Sequence, residues 1–237
     1  CLQSLGASDF YGFDTRDDRV KEAQKLFGIK YVGDVELFLA NNLDSVLIIS
    51  TPPDKHKEYI ELAMKYELNA FIEASVTDHE YLKMAHERSK NKTYLLAPSC
   101  TMLFFPLTIA IEKILKSNAI GRPLLLNYSV GQYLPDWHPW ENISDYYVSN
   151  PETGGCREIV PFELTWLVNL FGFPTIKSSY VHISGQLSSG IDDSYNFSLL
   201  FPDNLISNVC IEILSRPLAT RNISILGTSG RMSYQYD

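Results

Sequence analysis

VLIISTPPDKHKEYIELAMKYELNAFIEAS, residues Val46 to Ser75, decides the fold. It opens and closes on short apolar runs, VLII at 46–49 and NAFI at 69–72. Runs of that length without polar alternation read as strands buried on both faces of a parallel sheet. The segment between them is amphipathic at helical spacing, and Pro52-Pro53 stands where a helix begins and a missing N–H is no loss. Strand, helix and strand in one stretch make a βαβ unit, whose two strands pair in parallel.

The same alternation extends on both sides. DFYGFDT (9–15) reads as a short aromatic strand ending at Asp14, and RDDRVKEAQKLFG (16–28) as an amphipathic helix closed by Gly28. YVGDVELFLA (31–40) reads as a strand and then a helix. DHEYLKMAHERSKN (78–91) is a helix, TYLLAPS (93–99) a strand, and FFPLTIAIEKILKSN (104–118) a helix again. Residues 1–120 therefore read as an α/β lobe, a Rossmann-like doubly wound parallel sheet with helices on both faces. CLQSLG (1–6) reads as the last turns of a helix ending at Gly6, which places the expected first strand and its glycine-rich phosphate turn upstream of Cys1.

After Gly121 the pattern changes. PLLLNYSVGQYL (123–134) is strand-like, PDWHPWENISDYYVSNPETGG (135–155) is aromatic and irregular, and REIVPFELTWLVNLFG (157–172) is helical. Four strands follow, IKSSYVHIS, DSYNFSLLFP, LISNVCIEIL and RNISILGT, with SYQYD ending the chain after a turn. Residues 121–237 thus read as a second, α+β lobe: an open, mainly antiparallel sheet with one helix against it, expected to be truncated. DSYNFSLLF and NVCIEIL place apolar residues at both parities, so the open face is expected to join a second copy of the chain.

Composition limits the function. The 237 residues carry 45% hydrophobic and 20% charged side chains and a net charge of −8. That balance suits a two-lobed globular protein and disfavours nucleic-acid binding, which needs a basic footprint. No apolar run is long enough to span a bilayer, and CLQSLGASDF lacks the features of a secretory leader, so the expected location is the cytoplasm. Four scattered cysteines, with no CxxC pair and no histidine at ligand spacing, read as free thiols, and no metal site is expected.

Open parallel sheets bind ligands beyond the carboxyl ends of their strands. Three ends can be named: Asp14, Thr51-Pro52, and Glu73-Ala74-Ser75. An acidic residue placed like Asp14 accepts hydrogen bonds from an adenosine ribose, though an Asp before TRDDRV equally suits a turn or helix cap. Arg16 stands where it could meet a 2′-phosphate, so NAD and NADP both stay open.

Thr51-Pro52, His56 four residues beyond the proline, Glu73 at the end of the next strand, and the turn Gly227-Thr228-Ser229-Gly230 resemble the glucose–fructose oxidoreductase, inositol dehydrogenase and MocA-type family. GQYLPDWHPWENISDYYVSNPETGG (131–155) is similar to the branch acting in polysaccharide or nucleotide-sugar pathways. The resemblance implies an NAD(P)-dependent oxidoreductase of a sugar or nucleotide-sugar. It implies cofactor contacts from Thr51, Pro52, His56, Glu73 and Ser75.

This chain departs from that family's chemistry. The family's strand ends in Glu-Lys-Pro, and its Lys is here Ala74. The family's catalytic helix follows a Gly-Gly pair and carries Asp, His and Asp; here those places hold Glu158, Phe162 and Thr165. Its Asn-x-Arg-Phe motif reads Thr101-Met102-Leu103-Phe104. An alanine cannot polarise a hydroxyl and a phenylalanine cannot carry a proton. Loss of a general acid–base removes about 10²–10⁴-fold in rate. Either other groups replace the lost ones, or the chain is a catalytically silent dinucleotide- or sugar-binding homologue serving as a regulatory or scaffold subunit. Replacement candidates are Glu158, Glu163 and His138 as acid–base groups, with Trp137 and Arg157 against the substrate. Their alternatives are an internal salt bridge or helix cap for Arg157 and Glu158, a packed loop for His138, and an apolar seam between lobes for the aromatics of 133–147.

Overall fold

The computed structural model describes residues 2–74, 78–187 and 190–236. The chain opens on a short 3-10 turn, Gln3–Leu5, closed by Gly6 in the left-handed conformation. Strand β1 (Tyr11–Gly12), helix α1 (Asp17–Phe27), strand β2 (Lys30–Tyr31) and helix α2 (Val35–Ala40) follow. Then come β3 (Val46–Ile49), α3 (His56–Lys65), β4 (Asn69–Ile72), α4 (His79–Ser89) and β5 (Leu96–Pro98). β1 pairs with β2 in parallel, and β3, β4 and β5 form a separate three-stranded parallel sheet. The alternation legible in the sequence is therefore the alternation of the fold.

Burial on this sheet is one-sided. Leu47 and Ile49 of β3, with Ala70 and Ile72 of β4, pack against Ile60 and Ala63 of α3 and Tyr81 and Ala85 of α4. Val46 and Ile48 on the other face are 64% and 48% exposed, and Phe71 is exposed too. The expectation that these strands are buried on both faces is corrected. Among the described residues the helices flanking them cover one face, and an uninterrupted apolar run carries no sign of which face.

The second lobe is built on a six-stranded sheet. Its members are β6 (Pro123–Gly131), β7 (Thr175–His182), β8 (Ser194–Phe201), β9 (Leu205–Glu212), β10 (Thr220–Gly227) and β11 (Arg231–Tyr236), in the order β11-β10-β6-β9-β8-β7. Only β6 and β9 run parallel; the other neighbours are antiparallel. The end of the chain, read as stopping after a turn, instead forms β11 through Tyr236, an edge strand of the sheet. Helix α5 (Pro106–Lys116) and helix α6 (Ile159–Phe171) share the core of this sheet through Leu107, Ile111, Trp166 and Leu167.

Register sorts the two faces. Leu126, Tyr128, Val209, Ile211, Ile223 and Ile225 point into the core. The intervening positions make polar rows on the open face: Ser224 opposite Asn127, Asn127 opposite Asn208, and Asn208 opposite Ser198. The reading of apolar residues on both faces thus fails over the middle of the sheet. Only toward one end does an apolar group, Leu125, Leu200, Ile206 and Leu226, sit on the open side.

One buried ion pair joins α6 to the sheet. Arg221 of β10 donates from Nη1 and Nη2 to both oxygens of Glu163, each at 2.7 Å. Glu163 is fully buried, and Tyr128 Oη and Trp166 Nε1 donate to the same carboxylate at 2.5 and 3.2 Å. Removing one partner strands the other's charge in the core, which destabilises by about 3–5 kcal/mol. Glu163→Leu or Arg221→Leu alone should lower the unfolding free energy read from urea denaturation by about 3–5 kcal/mol. The double leucine variant should recover most of the loss, because no charge is then left unpaired.

Candidate functional site

The start of α6 carries the site. Gly155 adopts φ 75°, and a Cβ there would stand 2.7 Å from the carbonyl oxygen of Asp192. A Cβ on Gly154 would meet the Val148 carbonyl at 2.1 Å. The Gly-Gly pair is therefore a close-approach device. It lets the irregular strap 133–155 fold tightly over the 3-10 turn Cys156–Glu158 that leads into α6. The strap delivers Tyr147, whose Oη donates to Glu158 Oε1 at 2.6 Å.

Burial pushes the Glu158 carboxyl up to about 7, and the charge of Glu73 adds to that shift while the Tyr147 bond works against it. Burial first, then the Glu158 charge, holds the Tyr147 phenol well above its ordinary value. Glu73 closes β4, its N–H donating to Ile49 O at 2.9 Å, and its side chain is exposed. Three groups from distant parts of the sequence thus come together: Glu73 at the β4 end, Tyr147 of the strap and Glu158 at the head of α6. A carboxyl that titrates near neutrality can both take and give a proton under working conditions.

The other strand ends are placed as follows. Asp14, just beyond β1, is exposed and accepts the Arg16 backbone N–H at 2.8 Å, so its turn role is realised. Thr51 and Pro52 follow β3 and are partly buried; Thr51 Oγ1 is buried without a hydrogen-bond partner. His56 is fully buried and bonds Thr51 O through Nε2 at 2.7 Å, with its pKa lowered by burial. His56 is thus enclosed and tied to the Thr51 turn. Ser75 lies outside the described residues.

In the strap, Trp137 packs against the large core and its Nε1 is buried without a partner. The His138 ring sits between Trp140, at 5.2 Å between centroids, and Tyr146, at 4.8 Å. His138 Nδ1 lies 3.9 Å from Glu141. Glu141 in turn bonds Arg16 Nη1 at 2.5 Å and Arg19 Nη2 at 2.9 Å. Arg157 is engaged by Asp192, through its backbone N–H at 3.1 Å and Nε at 3.9 Å, and by the Glu152 carbonyl at 2.9 Å. It forms the internal pair that the sequence left open, with Asp192 as partner.

Glu163, five residues beyond Glu158, points into the core rather than to the strap. The acid–base role expected for it does not fit, because its carboxylate is enclosed and committed to Arg221. Phe162 packs against the large core, and exposed Thr165 bonds back to Pro161 O at 2.6 Å. Sequence reasoning missed Tyr147 and Glu141. Both sit in the quoted aromatic strap, but nothing in their spacing told which residues fold back on α6 or on α1. Among the described residues no cluster of His, Cys, Asp and Glu could hold a metal, and no helix is long and apolar enough to cross a membrane.

No family model matches the sequence, and no curated protein matches it by sequence. Solved structures match the fold. An oxidoreductase from Thermotoga maritima superposes with a TM-score of 0.85 at 17% identity, over 98% of this chain and 72% of that one. The WlbA dehydrogenase from Bordetella pertussis, solved with NADH and UDP-GlcNAcA, gives 0.82 at 16% identity, over 99% and 68%. A myo-inositol 2-dehydrogenase from Lactobacillus plantarum gives 0.81 at 13%, over 97% and 69%. The chain has the mixed α/β fold of these Rossmann-like dehydrogenases.

The raised Glu158 pKa has a consequence for stability. The folded state holds a proton that the unfolded state releases near 4.5, so the contribution of this one group is most favourable at low pH and falls as pH rises toward about 7. The loss is on the order of 3 kcal/mol and then levels off. Urea unfolding between about pH 5 and pH 8 should show this slope in the parent and its absence in Glu158→Gln.

Proposed function

We propose that the chain is an NAD(P)-dependent oxidoreductase of a sugar or nucleotide-sugar in which Glu158, held by Tyr147, is the acid–base group. The observation that carries this reading is the 2.6 Å Tyr147–Glu158 bond on a carboxyl poised near 7 beside the β4 end. The fold's likeness to dehydrogenases supports the reaction class. Glu158 takes the proton of a substrate hydroxyl as it is oxidised and returns it in reduction. It therefore works without the Lys and His that Ala74 and Phe162 replace.

The residues at the strand ends suit a dinucleotide. Exposed Asp14 suits the ribose hydroxyls, and the orphaned buried hydroxyl of Thr51 at the carboxyl end of β3 suits a polar ligand beside it. Pro52 and Glu73 complete that side. A nicotinamide bound there supplies a hydride acceptor and donor. Trp137 and His138 border the substrate side, where the unpartnered Trp137 Nε1 and the exposed ring of Trp140 suit a hydroxyl-bearing ring. Arg157 lies on the same side, already held by Asp192.

Oxidation needs ionised Glu158, so its kcat/KM should rise with pH and level off above about 7; reduction should fall over the same range. Glu158→Gln should lower kcat/KM by about 10²–10⁴-fold with bound cofactor unaffected. The assay is a panel of sugars and sugar nucleotides scored by nicotinamide absorbance. Tight NADH binding with no turnover on any of them would instead mark a silent dinucleotide-binding subunit.

We infer further that the open face of the six-stranded sheet joins two copies of the chain. Its Asn127, Asn208 and Ser224 rows can donate and accept equally, which suits a self-complementary contact, and exposed Ile206 adds apolar area. Asn208→Arg with Ile206→Asp should convert the oligomer to monomer in analytical ultracentrifugation; an unchanged mass removes this face from the assembly.

A further inference from the structure

We propose that Glu141 is the chain's own occupant of the anion site that a 2′-phosphate would need, and that it makes the protein select NAD over NADP. The inference rests on the cofactor reading above and names the residue that decides between its two forms.

The geometry is that of a filled site. Arg16 and Arg19 stand at the start of α1, just past Asp14, where the adenosine ribose of a dinucleotide is received. Two guanidinium groups there would ordinarily clamp a phosphate bidentately. Here one carboxylate takes both: Glu141 Oε1 receives Arg16 Nη1 at 2.5 Å, and Oε2 receives Arg19 Nη2 at 2.9 Å. The Glu141 side chain is only 11% exposed, and the Arg16 bond leads the causes that keep its carboxyl below the ordinary range.

The rest of Arg16 is also spent. Its Nε and Nη2 bond Asp18 at 3.2 and 2.8 Å, and Arg19 Nη1 reaches Glu22 at 3.4 Å. An incoming 2′-phosphate would therefore have to displace a carboxylate and remain among Asp14, Asp17, Asp18, Glu22 and Glu141. Two arginines do not balance five carboxylates and a dianion. A ribose 2′-hydroxyl meets no such barrier, because Asp14 accepts from it and the clamp stays shut.

The clamp is also long-range. Glu141 lies 125 residues from Arg16 in the chain and belongs to the strap that delivers Tyr147 to Glu158. A cofactor that opened the clamp would pull on the same strap. Discrimination against the 2′-phosphate is thus tied to closure of the acid–base site.

The test is direct binding with the full-length protein, following nicotinamide fluorescence for NADH and NADPH. The parent should bind NADH at least ~10-fold tighter than NADPH. Glu141→Gln, which keeps the shape and drops the charge, should narrow that gap to within ~3-fold by strengthening NADPH while leaving NADH in place. Glu152→Gln, on an exposed strap glutamate outside the clamp, controls for net charge and should leave the gap as it is. Should Glu141→Gln melt well below the parent, Glu141→Asp, which withdraws the carboxylate by one methylene, gives the same readout with an intermediate shift. NADH binding with a gap unmoved by both Glu141 variants overturns the clamp alone. A parent that prefers NADPH also overturns it. Binding of neither dinucleotide overturns the clamp and the cofactor reading together.

Discussion

The Glu163–Arg221 pair is the constraint on which the site depends. It fixes one face of α6 against β10 and β6 through a bidentate contact closed by Tyr128 and Trp166. An apolar contact would tolerate sliding of the helix along the sheet. A two-point ionic contact in a dry core does not, because any slip leaves charge unpaired. The head of the helix, and Glu158 with it, is thereby held at a defined distance from the β4 end. The fully buried Trp166 edge against Tyr128, at 5.1 Å between ring centres, adds orientation to that position.

Element type and order were legible because the apolar spacing in this chain is unambiguous. VLII and NAFI became β3 and β4, and the four strands after residue 172 became β7 to β10 with boundaries within a few residues. What the spacing could not carry was the facing of each strand. VLII offers apolar side chains at both parities, so Val46 and Ile48 could not be told from Leu47 and Ile49. In β9 the pairing register, which spans about 80 residues of chain, put Asn208 on the open side and Val209 inside. β11 was missed for the same reason: residues 231–236 become a strand only because β10 offers them a partner.

The candidate site was legible at its ends and not in its contacts. Glu158 was placed by the Gly-Gly pair and Glu73 by the strand end, two local signals. Their meeting depends on Tyr147, which reads locally as one aromatic among several. Glu163 shows the converse error. Spacing put a second carboxylate on the same helix, but helical phase turned it inward, where Arg221 claims it. Helical neighbours separated by five residues need not share a face.

On the function proposed above, Glu158 does the acid–base work in surroundings that include Ala74 and Phe162. Glu158 is half-buried, the charge of Glu73 acts on it, and Phe162 lies one helical turn away. Burial first, and then the Glu73 charge, disfavour the ionised form of its carboxyl. An aspartate or glutamate paired with a lysine stays ionised and can only accept. Burial instead pushes the Glu158 carboxyl up to about 7, where it can do both halves of a proton transfer. That carboxyl is the proposed acid–base group, and Tyr147 gives Glu158 a fixed direction.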